Sequence, residues 1–62
     1  MLEITITPTA LHFPSLSDEV YNKLRAEYVL VESKKGYAIT GSPHELFKVL
    51  LALSYTYDIE LS

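Results

Sequence analysis

Cysteine and tryptophan are absent from the 62-residue chain, glycine occurs twice and proline three times. Without cysteine there is no disulfide, no thiolate metal site and no thiol nucleophile. Stability must come from the hydrophobic core or from a partner chain, in a protein near the lower size limit for a single unstapled core. A cysteine-free chain suits a reducing interior, and a cytoplasmic location is expected. Few glycines and prolines beside 48% hydrophobic residues exclude the polar, highly charged profile of a disordered chain. The opening segment MLEITITP has neither the basic start nor the apolar stretch of a signal peptide, and no apolar run approaches the roughly 20 residues that span a bilayer. A single domain over residues 1–62 is expected.

Positive charge is also scarce. Eight acidic against five basic residues leave a net charge of −3, so phosphate backbones and anionic membranes repel the chain as a whole. The basic residues are scattered: Lys23 with Arg25, Lys34 with Lys35, and Lys48 alone.

What is present is a sequence of clear local signals. LEITIT alternates, with Leu2, Ile4 and Ile6 on one side and Glu3, Thr5 and Thr7 on the other, and Pro8 cannot continue a central ladder; this predicts a first strand. The stretch 8–16, with two prolines and no sustained period, reads as a loop. Ser17 stands as an N-cap before Asp18 and Glu19, whose charges suit the positive end of a helix dipole, and Leu16 and Tyr21 fit a hydrophobic staple. Val20, Tyr21, Leu24 and Tyr28 recur at helical spacing, predicting a helix over 18–27.

YVLVESKKGYAITGS then places β-branched and aromatic residues on both sides of a short polar turn, SKKG, and predicts a hairpin. SPHE follows. Ser42 as N-cap, Pro43 at the first helical position and Glu45 as the third residue of a capping box begin a second helix at Pro43. On that helix His44, Glu45, Lys48 and Ala52 share one arc, while Leu46, Phe47, Val49, Leu50, Leu51 and Leu53 fill roughly 200° of the circumference, about twice what one sheet face covers. After Ser54 the period changes to two. Tyr55, Tyr57, Ile59 and Leu61 share one parity and Thr56, Asp58, Glu60 and Ser62 the other, which predicts a strand over 55–61, although no glycine or asparagine stands where the helix should end.

The expected order is therefore β-α-β-β-α-β. It is an α+β domain in the ferredoxin-like split βαβ arrangement, a four-stranded antiparallel sheet with two helices on one face. The alternative is β-α-β-β-α, with the second helix continuing towards Asp58.

Site chemistry is sparse. His12 and His44 stand about thirty residues apart with no local chelating spacing, so no metal and no cofactor is expected. GSPHE reads as a capping box rather than a phosphate cradle, because Pro43 removes a donor and Glu45 takes the cap. No serine has a nucleophile-elbow setting, and Asp58 and Glu60 on one strand face lack a pocket, so no catalytic residue is assigned. RNA binding by an open sheet face is disfavoured: the tyrosines share parity with the core, leaving Glu3, Thr5, Thr7, Ala38, Thr40, Thr56, Asp58 and Glu60 outward.

Three functional expectations follow. The first is a non-enzymatic interaction module that self-associates and acts as a regulatory or inhibitory partner of a larger protein, with Phe47, Leu51 and Tyr55 at its interface. The second is a nucleic-acid-associated regulator using Lys23, Arg25, Lys34 and Lys35. For this, the run NKLRAEYVLVESKKGYAIT loosely resembles the last helix and β-wing of a winged-helix regulator, over about a third of the chain and without the two preceding helices. The third is a ligand-sensing dimeric βαββαβ domain, by analogy of fold alone.

Overall fold

The computed structural model describes residues 1–61; the parity assigned to Ser62 lies outside them. Five strands and two helices follow in the order β1 (Leu2–Thr7), β2 (Ala10–Phe13), α1 (Asp18–Glu27), β3 (Leu30–Ser33), β4 (Gly36–Thr40), α2 (Pro43–Thr56) and β5 (Ile59–Leu61). The strands form one mixed sheet in the lateral order β3-β4-β2-β1-β5, antiparallel except for the parallel pair β1–β5.

The expected first strand, first helix, hairpin and start of the second helix are all present with the anticipated caps. Ser17 Oγ accepts a hydrogen bond from the Val20 N–H at 3.4 Å and Ser42 Oγ from the Glu45 N–H at 3.3 Å, each satisfying a donor left free by the first helical turn.

Two expectations are corrected. The stretch 8–16 is not all loop, because Ala10–Phe13 forms β2 at the centre of the sheet. Pro8 and Thr9 make the tight turn before it. Thr7 Oγ1 accepts from the Ala10 N–H at 3.0 Å and donates to the Ala10 carbonyl at 3.2 Å, so the side chain helps close the hairpin. The four-stranded antiparallel order β-α-β-β-α-β accordingly becomes a five-stranded mixed sheet in the order β-β-α-β-β-α-β. Leaving β2 aside, the other four strands keep the lateral order of the split arrangement. The inserted strand reverses the direction of everything after it, and the last strand therefore arrives parallel to β1 instead of antiparallel.

The second correction concerns 55–61. The helix neither stops at Ser54 nor reaches Asp58: α2 runs to Thr56, Tyr57 caps it in extended conformation with its N–H donating to the Leu53 carbonyl, and only Ile59–Leu61 is strand. Ser54 Oγ donates to the Leu51 carbonyl at 2.6 Å and Thr56 Oγ1 to the Ala52 carbonyl at 3.4 Å, second hydrogen bonds that fold both hydroxyls back onto the helix ladder near its end. Tyr28 ends α1 in the same way, its N–H donating to Leu24.

The core lies on one side of the sheet. Leu2, Ile4, Leu11, Phe13 and Ile39 from the strands meet Leu24 of α1 and Leu46 and Leu53 of α2 in one buried cluster, with Ile4, Phe13 and Leu24 wholly enclosed. The other side carries Glu3, Thr5, His12 and Thr40, all exposed, and the register sets Glu3 directly beside Glu60, a like-charge pair that opposes β1–β5 pairing.

Gly36 holds the hairpin turn. Its φ of +124° is the only positive value among the described residues. A Cβ there would run into the Phe13 carbonyl oxygen and lie 2.9 Å from that of Pro14, so both backbone conformation and close strand approach require glycine. Gly36→Ala is therefore expected to lower stability by about 2–3 kcal/mol, read as a fall in the urea midpoint of roughly 2 M without a change in slope. An unchanged midpoint would contradict this account of the turn.

Candidate functional site

Helix α2 covers the sheet with Leu46, Val49, Leu50 and Leu53, of which Leu46 and Leu53 are buried. At 100° per residue, Phe47, Leu51 and Tyr55 follow one another along a row whose midpoint, Leu51, lies about 150° round the helix from the middle of that set, with Phe47 the member nearest Leu50. They are 61%, 44% and 82% exposed. All three expected interface residues thus stand together on one outward stripe, Tyr55 because it is helical and not because it belongs to a strand.

The stripe borders two apolar clefts. One, of about 430 Å³, lies between the start of α2 and the end of β1 and is lined by Ile6, Pro8, Pro43, Leu46, Phe47 and Leu50 together with Thr7. The other, of about 280 Å³, lies between the end of α2 and β5 and is lined by Phe47, Leu50, Leu51, Ser54, Ile59 and Leu61. Phe47 and Leu50 belong to both, which makes one trough along the helix. Ile6 and Leu61, 46% and 56% exposed, extend the apolar surface onto β1 and β5. Neither is marked by the sequence pattern, because Leu61 comes beside α2 through the parallel pairing of β5 with β1 and Ile6 through the position of the α2 N-terminus at the end of β1.

The two halves of the chain repeat one architecture, β-β-α followed by a capping tyrosine. Matching Leu24 to Leu53 and Tyr28 to Tyr57 by their identical cap bonds sets Val20 against Val49. It also sets Asp18, Asn22 and Ala26 against Phe47, Leu51 and Tyr55. The same outward row on α1 is exposed and polar or small. Packing of this fold does not demand an apolar residue there.

The basic residues do not converge into one patch. Lys34 and Lys35 form the β3–β4 turn. Lys23 Nζ lies 5.7 Å from the centre of the Tyr57 ring, a cation–π contact. Arg25, two residues on, is directed about 200° away around α1, towards Tyr21. His12 stands on the open sheet face and His44 in the first turn of α2, both exposed. No group of three or more His, Cys, Asp or Glu residues suited to a metal ion occurs among the described residues. No helix among them is long and apolar enough to cross a membrane.

One titratable contact is well defined. The Tyr21 hydroxyl donates to Glu32 Oε1 at 2.7 Å, and its ring lies 5.4 Å from that of Tyr37 at a tilt of 53°. The bond to the carboxylate raises the Tyr21 pKa above 10.0, aided by partial desolvation and the nearby negative charge, while the Arg25 guanidinium pulls the other way. It ties α1 to the edge strand β3.

Compared with protein-family models, with curated proteins and with solved structures, the chain matches none.

The tyrosine contact is testable by a pH titration that resolves the individual rings. Tyr21 should ionise at higher pH than a free tyrosine, and Glu32→Gln should return it towards the ordinary value. Because the folded-state pKa is raised, the contribution of this bond to stability is present below pH 10 and is lost as pH rises through the Tyr21 pKa. An unaltered Tyr21 titration in the variant would rule the bond out as the cause.

Proposed function

We propose that this protein is a non-enzymatic, intracellular interaction module that self-associates through α2 and serves as a regulatory or inhibitory partner of a larger protein. The observation that carries the reading is the outward stripe Phe47, Leu51 and Tyr55, apolar where the equivalent row of α1 is not. With Ile6 and Leu61 these side chains expose on the order of 500 Å² of largely apolar surface, near the upper end for the largest patch on a monomer of ordinary size. That is a substantial share of a total accessible surface of 4433 Å².

The troughs support binding more than chemistry. They are open and apolar, without the converging polar groups that orient a substrate. Nucleic acid is a weaker candidate for the partner, given the net charge of −3 and the divergence of Lys23 from Arg25. The analogy of fold behind the ligand-sensing alternative loses its strand count, and no observation favours that reading.

Size-exclusion chromatography with light scattering tests the proposal. The expected mass is about twice 7.0 kDa, with a dissociation constant of order micromolar, about −8 kcal/mol. Tyr55→Glu and Phe47→Glu should each shift the peak to the monomer while leaving the circular dichroism unchanged, since both side chains are exposed. A monomer at concentrations well above that constant would overturn self-association.

A further inference from the structure

We propose that α2 pairs with α2 of a second copy in antiparallel orientation, about a two-fold axis that passes beside Leu51. The inference rests on the self-association reading above and specifies its geometry. Phe47, Leu51 and Tyr55 are spaced i, i+4, i+8 and form a single ridge inclined about 26° to the helix axis; two such ridges interdigitate at a crossing angle near −50° with the axes about 8–10 Å apart. Leu51 is the midpoint of the row. A two-fold axis there brings Leu51 against its own counterpart and sets Phe47 of each copy against Tyr55 of the other, about 6 Å to either side.

Charge decides the orientation. The N-terminal half of α2 carries Lys48 and the positive end of the helix dipole, whereas the last turn contains no basic residue. Antiparallel pairing lays Lys48 level with Ser54 of the other copy, towards the free carbonyls of its helix C-terminus. Parallel pairing would set Lys48 beside Lys48 and the two uncompensated C-termini together. Glu45, the acidic residue of the first turn, does not interfere, because its carboxylate lies against Gly41. Glu60 lies on the sheet face opposite the helices.

The area is adequate. A stable interface buries about 800 Å² per partner, and the apolar stripe with its flanks on Ile6 and Leu61 supplies more than half of this before any polar rim is counted.

The absence of native cysteine makes disulfide trapping unambiguous. Leu51→Cys should form a covalent dimer on mild oxidation. A mixture of Phe47→Cys and Tyr55→Cys proteins should cross-link several-fold faster than either alone. Lys48→Asp should weaken the dimer by about tenfold, whereas Lys48→Arg, which keeps the charge, should leave it unchanged. If Phe47→Cys and Tyr55→Cys each cross-link to themselves faster than to one another, the pairing is parallel and the proposal falls. A dimer by light scattering in which Leu51→Cys does not cross-link and Lys48→Asp has no effect would place the interface elsewhere, overturning this geometry but not self-association. A wild-type monomer would overturn both.

Discussion

The pairing of β2 with β4 is the constraint on which the rest of the structure depends. Each half of the chain is a hairpin followed by a helix, and a lone two-stranded hairpin is marginal in water. The register Leu11–Ile39 and Phe13–Tyr37 joins the hairpins at their inner strands and turns two such units into one sheet. Leu11, Phe13 and Ile39 are buried at this seam, and Leu24 from one unit and Leu46 and Leu53 from the other close over the same cluster. Because β2 is the strand that reverses the chain, the seam also sets the direction in which α2 crosses the sheet and the parallel entry of β5. The half of the trough beside the end of α2 takes one wall, Ile59 and Leu61, from β5.

Much of this was legible where the local signal was strong. The alternation of LEITIT, the serine caps at Ser17 and Ser42, and the SKKG turn each combine two independent cues, and all appear as expected. The element that was missed, β2, offers only ALHF between two prolines. A four-residue segment with two inward side chains, Leu11 and Phe13, is too short for a period of two to separate it from a loop. At the other end the alternation of Tyr55, Tyr57, Ile59 and Leu61 is real in the sequence but has three structural causes: Tyr55 faces outward from a helix, Tyr57 caps it, and only Ile59 and Leu61 alternate in a strand. Periodicity alone does not distinguish a strand from a helix end that happens to carry aromatic residues two apart.

The candidate site followed a similar course. A helix apolar around more than half its circumference signals a surplus in any fold that offers it one sheet face, so Phe47 and Leu51 could be selected without knowing the topology. Ile6 and Leu61 could not. They lie on strands that read as ordinary core-facing segments, and their exposure arises because α2 leaves the ends of β1 and β5 uncovered.

The surplus has a consequence for stability. Phe47, Leu51 and Tyr55 are largely exposed in the folded chain, as they are in the unfolded one, so they contribute little to holding the isolated fold together. In the proposed dimer they would contribute once a second copy covers them, and a chain of this size has a small margin, roughly 3–9 kcal/mol at ordinary values per residue. Any partner that binds only the folded form adds stability that grows with its concentration over the dissociation constant, about 2.7 kcal/mol at a hundredfold excess. On the proposed reading the stripe would couple how much of the protein is folded to how much partner surrounds it. Helix α1, with Asp18, Asn22 and Ala26 on the equivalent row, offers no matching apolar row. Between the two helices the difference lies in that row and in the greater length of α2, and this is why the proposed contact is assigned to α2.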